Sequence, residues 1–368
     1  MNLRVLVVDD SALFRTHLAN AIRAVDGWTV AGFAEDGVKA IDQARRLKPD
    51  VITLDIEMPK LNGIEVLRAL TADGIQAKVI MVSRLTNEGA QETTDALLSG
   101  AFDFILKPQG KDPVANRDRL FENLREKLQV AKSAIEESAS EKHLNPRNTA
   151  SSQMAVASQI PRPSTEPFTT PFECAVIGCS TGGPDALARV ISMLSPNFPI
   201  PILIVQHMPV GFTKSLARRL DEASEIQVVE AESGMKLEEG KAFLAPGGFH
   251  VGVVASNVDR ARIILTEDPK INNCRPSVDY TLKSVVNLFG KQVLAVIMTG
   301  MGRDGLEGCR ELAAKGGYVV TQSSQGCTVY GMPKAVAQAG LANIVASLDD
   351  MPKLLNRLAT LGPKKLGP

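Results

Sequence analysis

The chain has 368 residues, with 41 basic and 41 acidic side chains, 44% hydrophobic residues and 4% aromatics. That length accommodates about two domains, each able to bury a core without staples. Zero formal net charge and scarce aromatics argue against a nucleic-acid binder. The five cysteines form no C-x-x-C pair, so zinc and a disulfide framework are disfavoured and a reducing cytoplasmic setting is expected. Arg4 and the aspartates after Val8 do not suit a signal peptide, and no apolar run is long enough to span a membrane.

In chain order, strands are predicted at 3–8, 28–34, 51–54, 78–82 and 103–106, with helical periodicity between them. Such alternation means βα units on a parallel sheet, and five units make a doubly wound domain. Ligands of such sheets bind at the carboxyl ends of the strands. Asp9 and Asp10, Asp55, Ser83 and Lys107 all fall at or just after a strand end. A charged helix over roughly 112–139 closes this domain. Residues 140–171 are rich in Ser, Thr, Asn and Pro and read as a linker. Strand-like runs resume at 174–178, 201–206, 226–231, 293–298, 318–321 and 343–346. Between them, 243–245, 249–254 and 262–266 suggest an antiparallel excursion around the Pro246-Gly247-Gly248 turn.

The first cluster suits phosphoryl transfer, which needs a nucleophile and charge neutralisation. Asp55 can attack phosphorus, Asp9 and Asp10 can hold Mg²⁺, Lys107 can neutralise a phosphate oxygen, and the Ser83 hydroxyl can donate to another. A cis Lys107–Pro108 bond would aim the lysine inward. Taken singly, Asp-Asp after a strand also fits a turn or helix cap, and Ser83 a plain loop residue. The matching pieces are Val7-Val8-Asp9-Asp10-Ser11, Asp55-Ile56-Glu57-Met58-Pro59, Asn62-Gly63, Ser83 and Phe104-Ile105-Leu106-Lys107-Pro108. On these, residues 3–125 resemble a response-regulator receiver domain, a flavodoxin-like (βα)5 fold. The resemblance implies phosphorylation of Asp55, with Mg²⁺ on Asp9, Asp10, Asp55 and the Glu57 backbone carbonyl. It also implies that Ser83 and Phe104 respond to the phosphate; Phe104 fits a core aromatic equally well.

The second cluster suits a serine hydrolase. Gly178-Cys179-Ser180-Thr181-Gly182-Gly183-Pro184 runs from a strand into a helix, placing Ser180 near amides suited to an oxyanion. A structural glycine turn with a capping serine is the plainer reading. His207 ends an apolar run and is the better placed of two base candidates, the other being His250. Asp304, in Thr299-Gly300-Met301-Gly302-Arg303-Asp304-Gly305, can orient an imidazole or merely cap the next helix. The order Ser…His…Asp disfavours a standard α/β-hydrolase.

Further motifs are Gln206-His207-Met208-Pro209, Gly211-Phe212-Thr213 and Ala245-Pro246-Gly247-Gly248-Phe249-His250, then Arg275-Pro276-Ser277-Val278-Asp279 and Tyr330-Gly331-Met332-Pro333. With these, residues 172–361 resemble the catalytic domain of the chemotaxis protein-glutamate methylesterase family. Cys179 and Arg303 depart from the family's more familiar residues. The resemblance implies a Ser180–His207–Asp304 triad without a cofactor and oxyanion donors near Thr181 and Met301. The substrates it implies are methyl-accepting chemoreceptors, and the phosphodonor a chemotaxis histidine kinase. The expected organisation is a receiver over 1–125, a helix extension and linker over 126–171, and a catalytic domain over 172–361, mostly parallel α/β. An unphosphorylated receiver covering the Ser180 face is the expected form of control. The alternatives are a response regulator whose second domain only binds a partner, and a hydrolase of another ester or a peptide.

Overall fold

The computed structural model describes residues 2–84, 86–143 and 171–361. The chain divides into two compact units, Met1–Leu144 and Asn145–Pro368. Residues 144–170, the greater part of the expected linker, lie outside the described residues. Among the described residues, no helix is long and apolar enough to cross a membrane.

The first unit alternates strictly: β1 (Leu3–Val8), α1 (Ala12–Arg23), β2 (Trp28–Ala34), α2 (Gly37–Leu47), β3 (Val51–Asp55), α3 (Gly63–Ala72), β4 (Lys78–Ser83), α4 (Asn87–Leu98), β5 (Asp103–Leu106) and α5 (Pro113–His143). The sheet is parallel throughout, in the order β2-β1-β3-β4-β5. The chain steps from β1 to one edge and then crosses back to β3. That reversal opens a crevice between the carboxyl ends of β1 and β3. Central strands of such a sheet are covered on both faces, which explains the apolar runs Val5–Val8 and Val51–Leu54, the second interrupted only by the buried Thr53. Ser11, Asp36 and Asn62 accept backbone N–H bonds at the starts of α1, α2 and α3.

The second unit carries a seven-stranded parallel sheet. Its strands are β6 (Cys174–Cys179), β7 (Ile202–Gln206), β8 (Gln227–Glu230), β9 (Lys241–Leu244), β12 (Val293–Ile297), β13 (Tyr318–Gln322) and β14 (Ile344–Ala346). They lie in the order β14-β13-β12-β6-β7-β9-β8. The helices are α6 (Gly183–Ile191), α7 (Phe212–Glu222), α8 (Val278–Phe289), α9 (Leu306–Ala314), α10 (Met332–Gln338) and α11 (Met351–Leu361). Here the strand order reverses between β6 and β12.

The antiparallel excursion is smaller than expected. β10 (His250–Ala255) and β11 (Ala261–Thr266) pair antiparallel, from His250↔Thr266 to Ala255↔Ala261. The run expected at 243–245 instead belongs to β9, a parallel strand between β7 and β8. A short apolar run has the same composition in either setting; its partners decide. The amphipathic α8 buries Val278, Leu282, Val285 and Val286 in a core shared with Val293, Ala295 and Ile297 of β12.

Candidate active site and phosphoacceptor site

The first unit gathers its acidic residues in the β1/β3 crevice. Asp9, Asp10 and Asp55 each offer a carboxylate oxygen, and these oxygens lie within 4.8 Å of one another. Asp9 and Asp55 are buried and Asp10 is exposed. Lys107 Nζ lies 2.8 Å from both Asp9 Oδ2 and Asp55 Oδ2. Burial, then the charge of Asp9, raise the Asp55 carboxyl to about 6, against the opposing pull of Lys107. Burial works against the Lys107 charge, but Asp55 and Asp9 outweigh it and raise its pKa. One ammonium among three carboxylates leaves a negative, all-oxygen donor set. Such a set fits Mg²⁺, which takes oxygen ligands and keeps several waters.

The surrounding backbone is fitted to the cluster. Asp9 Oδ1 accepts from Ser11 N at 2.9 Å, and Arg15 Nη1 donates to the carbonyls of Asp9 and Asp10. A Cβ on Gly63 would lie 2.3 Å from the Asp55 carbonyl oxygen, so the Asn62-Gly63 pair marks a close backbone approach. Glu57 follows β3 by two residues, and its side chain pairs with Arg84 at 3.0 Å. Lys107–Pro108 does not use the cis option; among the described residues the cis peptide is Arg275–Pro276. Lys107 is directed instead by its own amide, which donates to Ser83 O at 2.7 Å and extends the β4–β5 ladder. Ser83 is buried; Thr93 Oγ1 of α4 lies 2.7 Å from its hydroxyl, which faces the carbonyls of Arg84 at 3.2 Å and Gly89 at 3.3 Å. Phe104 is buried in β5. Sequence reasoning missed Phe14, whose ring lies 4.8 Å from Lys107 Nζ.

In the second unit, Ser180, His207 and Asp304 follow β6, β7 and β12, three adjacent strands at the reversal of strand order. Ser180 N donates to Thr299 O at 2.9 Å, which ties the serine turn to the end of β12. The buried Gln206 ties it to β7, since Nε2 donates to Ser180 O at 3.0 Å and to His207 O at 3.2 Å. Cys179 Sγ donates to Gln206 Oε1 at 3.1 Å, which gives that departure from the family pattern a place in the network. A Cβ on Gly300 would sit 2.8 Å from Ser180 Cβ, so only glycine lets the Thr299–Asp304 loop approach the serine.

His207 Nε2 lies 2.8 Å from Asp304 Oδ2. Asp304 caps a helix, but not the one that follows it. Its oxygens accept from Val278 N (2.7 Å), Asp279 N (3.2 Å) and Ser277 Oγ (2.8 Å) at the start of α8, and from Asn272 Nδ2 (3.1 Å). Burial would raise the Asp304 carboxyl, yet His207 and these donors hold it down at about 2. Burial likewise opposes the imidazolium, but bonds to Asp304 and Cys274 carry His207 up to about 9. The carboxylate therefore accepts the hydrogen bond from Nε2–H and leaves Nδ1 as the nitrogen able to act on a substrate or nucleophile. Among the described residues, no hydrogen bond joins Ser180 Oγ to the imidazole; such bonds often tighten only in a complex.

His250, the second base candidate, is buried, stacks on Tyr280 at 4.5 Å and places Nε2 3.1 Å from Pro269 O. Burial holds its pKa down. Its place is structural. Thr181 is buried, and its carbonyl accepts from Thr299 Oγ1 at 2.9 Å; the Met301 side chain is exposed. Arg303 is exposed and pairs with Glu307 at 3.4 Å. Gln206, Ser277 and Asn272 were missed as functional residues, although Gln206 and Ser277 stand inside quoted motifs. Their signal is spatial, for they act through residues distant in sequence.

A receiver-type sheet with an acidic crevice, joined to an α/β unit with Ser, His and Asp at one switch point, describes a response regulator with an enzymatic output domain. Residues 5–117 match the response regulator receiver domain family, and residues 175–355 match the CheB methylesterase family. A protein-glutamate methylesterase/protein-glutamine glutaminase of Thermotoga maritima is 43% identical over 97% of this chain and 98% of its own. Its counterpart in Desulfotalea psychrophila is 43% identical over 95% of this chain and 96% of its own. The crystal structure of the Thermotoga maritima CheB methylesterase catalytic domain is 44% identical, with a TM-score of 0.50, covering 51% of this chain and 100% of that one. The chain belongs to the protein-glutamate methylesterase/protein-glutamine glutaminase family.

Proposed function

We propose that this protein hydrolyses glutamate γ-methyl esters on the cytoplasmic part of chemoreceptors, and deamidates receptor glutamines, under control of phosphorylation at Asp55. The observation that carries this reading is the 2.8 Å His207–Asp304 pair, set beside the Ser180 turn in a chain of this family. The working division is a receiver over 1–125, a helix extension and linker over 126–171, and a catalytic domain over 172–361.

Ser180 Oγ attacks the ester carbonyl carbon while His207 Nδ1 takes its proton. Asp304 holds the opposite N–H and stabilises the imidazolium. Amides near Thr181 and Met301 stabilise the oxyanion. The imidazolium returns its proton to the departing methoxide, and methanol leaves. Water, deprotonated by His207, then attacks the acyl carbon; the bond to Ser180 Oγ breaks, the imidazolium returns its proton to that oxygen, and glutamate is restored. With a glutamine substrate, ammonia leaves in place of methanol. In the receiver, an Asp55 oxygen attacks phosphorus of the phosphohistidine of a chemotaxis kinase, and the N–P bond breaks. Lys107 neutralises the phosphoryl oxygens, Ser83 turns toward the new phosphate, and Phe104 changes rotamer with it. Mg²⁺, held by Asp9, Asp10, Asp55 and the Glu57 carbonyl, would supply further charge neutralisation there.

The test is methanol release from methylated receptor membranes, with and without a small-molecule phosphodonor, beside Ser180→Ala and Asp55→Asn. Release should rise with the donor, vanish in Ser180→Ala and lose its donor response in Asp55→Asn. Full release by Ser180→Ala would remove the serine mechanism.

A further inference from the structure

Asp304 occupies one nitrogen of His207, so the chemistry proposed above depends on the other. That nitrogen, Nδ1, has Cys274 Sγ 3.6 Å away. The contact is built rather than incidental. Ile271 and Cys274 exchange both backbone bonds, at 2.8 and 3.1 Å, across a two-residue hairpin. Its tip residues Asn272 and Asn273 both have positive φ, 51° and 61°. Paired positive φ values are the signature of a type I′ turn, which asparagine tolerates better than most residues. Asn272 Nδ2 then donates to Asp304 Oδ1 at 3.1 Å and to Asp279 Oδ2 at 3.0 Å. The carboxylate that orients the imidazole thus also anchors the hairpin that carries the thiol. Cys274 is half-buried, whereas Cys174, Cys179 and Cys309 are buried away from any imidazole contact.

We propose that Cys274 is a positioning residue of the ester-cleaving site: its sulfur holds His207 Nδ1 in the resting enzyme and yields that nitrogen to Ser180 when substrate is seated. The inference rests on the Ser180–His207–Asp304 reading. One nitrogen has two suitors, a thiol already in contact and a hydroxyl that is not yet bonded to it. The thiol keeps the ring oriented, and in doing so it reduces the fraction of imidazole free to act as a base. The titratable groups facing His207 are Asp304 and Cys274, with Asp279 acting at one remove through Asp304. Asp304 favours the protonated ring, and so does the Cys274 sulfur as an acceptor from Nδ1–H, its own proton being directed to Asn272 O at 3.4 Å. Loss of the thiol therefore lowers the imidazole pKa and leaves more neutral base at pH 7.

The test uses the full chain, whose four histidines allow the His207 imidazole to be followed by ¹⁵N NMR during a pH titration. Wild type, Cys274→Ala and Cys274→Ser are compared, together with the pH profile of methanol release. In Cys274→Ala the His207 midpoint should fall by roughly one unit, with Cys274→Ser between it and wild type. The acid limb of kcat should move with it, raising the rate at pH 7 by up to about tenfold, since one unit is a factor of ten in the deprotonated fraction. Unmoved midpoints and limbs in both variants would reduce Cys274 to packing and overturn the proposal. Should Cys274→Ala not fold, the serine variant decides by the same readout. Ser180→Ala separates the two readings. Methanol release by that variant would sink the triad, while the His207–Cys274 coupling seen by NMR would stand or fall independently of it.

Discussion

Asp55 and Asp304 are both buried carboxylates at the carboxyl end of a parallel strand, yet their surroundings push them in opposite directions. Asp55 shares its crevice with Asp9 and Asp10 and has one lysine to offset them; its carboxyl rises to about 6. Asp304 faces no comparable surplus of charge. Two amides, a hydroxyl, a carboxamide and an imidazole all point at it, and it falls to about 2. Burial raises both; the sign of the result depends on what else was brought into the crevice. The first arrangement leaves a carboxylate short of positive charge, which suits a group that receives a phosphoryl and a metal. The second fixes a carboxylate in place, which suits a group that orients a base.

The sharpest break of this comparison is Asp304→Asn. The amide would present a donor or a weak acceptor to Nε2 and disturb the tautomer, so kcat for methanol release should fall by about 10³–10⁴-fold. A fall of less than tenfold would mean that Asp304 does not orient the base. Next in size is Gly300→Ala, whose Cβ would lie 2.8 Å from Ser180 Cβ. Displacing the nucleophile by a fraction of an ångström should cost on the order of 10²-fold in kcat with little change in KM.

The third prediction concerns stability and separates the two carboxylates by sign. The folded pKa of Asp55 is raised, so its contribution is fully present below about pH 4 and is lost as pH rises through about 6. Asp304 is depressed, so its contribution is present above about pH 4 and is lost as pH falls through about 2. Each is worth on the order of 2–3 kcal/mol. The single tryptophan, Trp28, is buried in the receiver and reports on that unit alone. Urea midpoints followed by its fluorescence should rise between pH 7 and pH 4 more in wild type than in Asp55→Asn. Identical pH dependence in the two proteins would contradict the raised carboxyl. The smallest expected effect is that of Cys179→Ser. A hydroxyl can still donate to Gln206 Oε1, so stability should change by less than about 1 kcal/mol. Thermal melts of the catalytic unit would reveal a larger loss.

Much of this molecule can be read along the chain. Apolar runs of about five residues, separated by amphipathic helices, mark the central strands, because a sheet covered on both faces needs continuous apolar sequence. Asp9, Ser180 and His207 follow those strands directly, Asp55 ends one and Asp304 lies in the loop after another, so their convergence on sheet edges is a consequence of topology. The run at 243–245 was misplaced because its neighbours β7 and β8 are supplied by the fold and not by its own composition.

Sequence by itself determined the two α/β units, the strand-end placement of the polar residues and the family. Tertiary structure alone decided which groups face which. Asp304 caps α8, which precedes it in the chain, and not α9, which follows. Gln206 ties the serine turn to the histidine strand, and Cys274 reaches the remaining nitrogen of His207. The physical reason is range: periodicity and turn chemistry act over a few residues, whereas the protonation and aim of a buried group are set by neighbours that only the packed chain brings within about 4 Å.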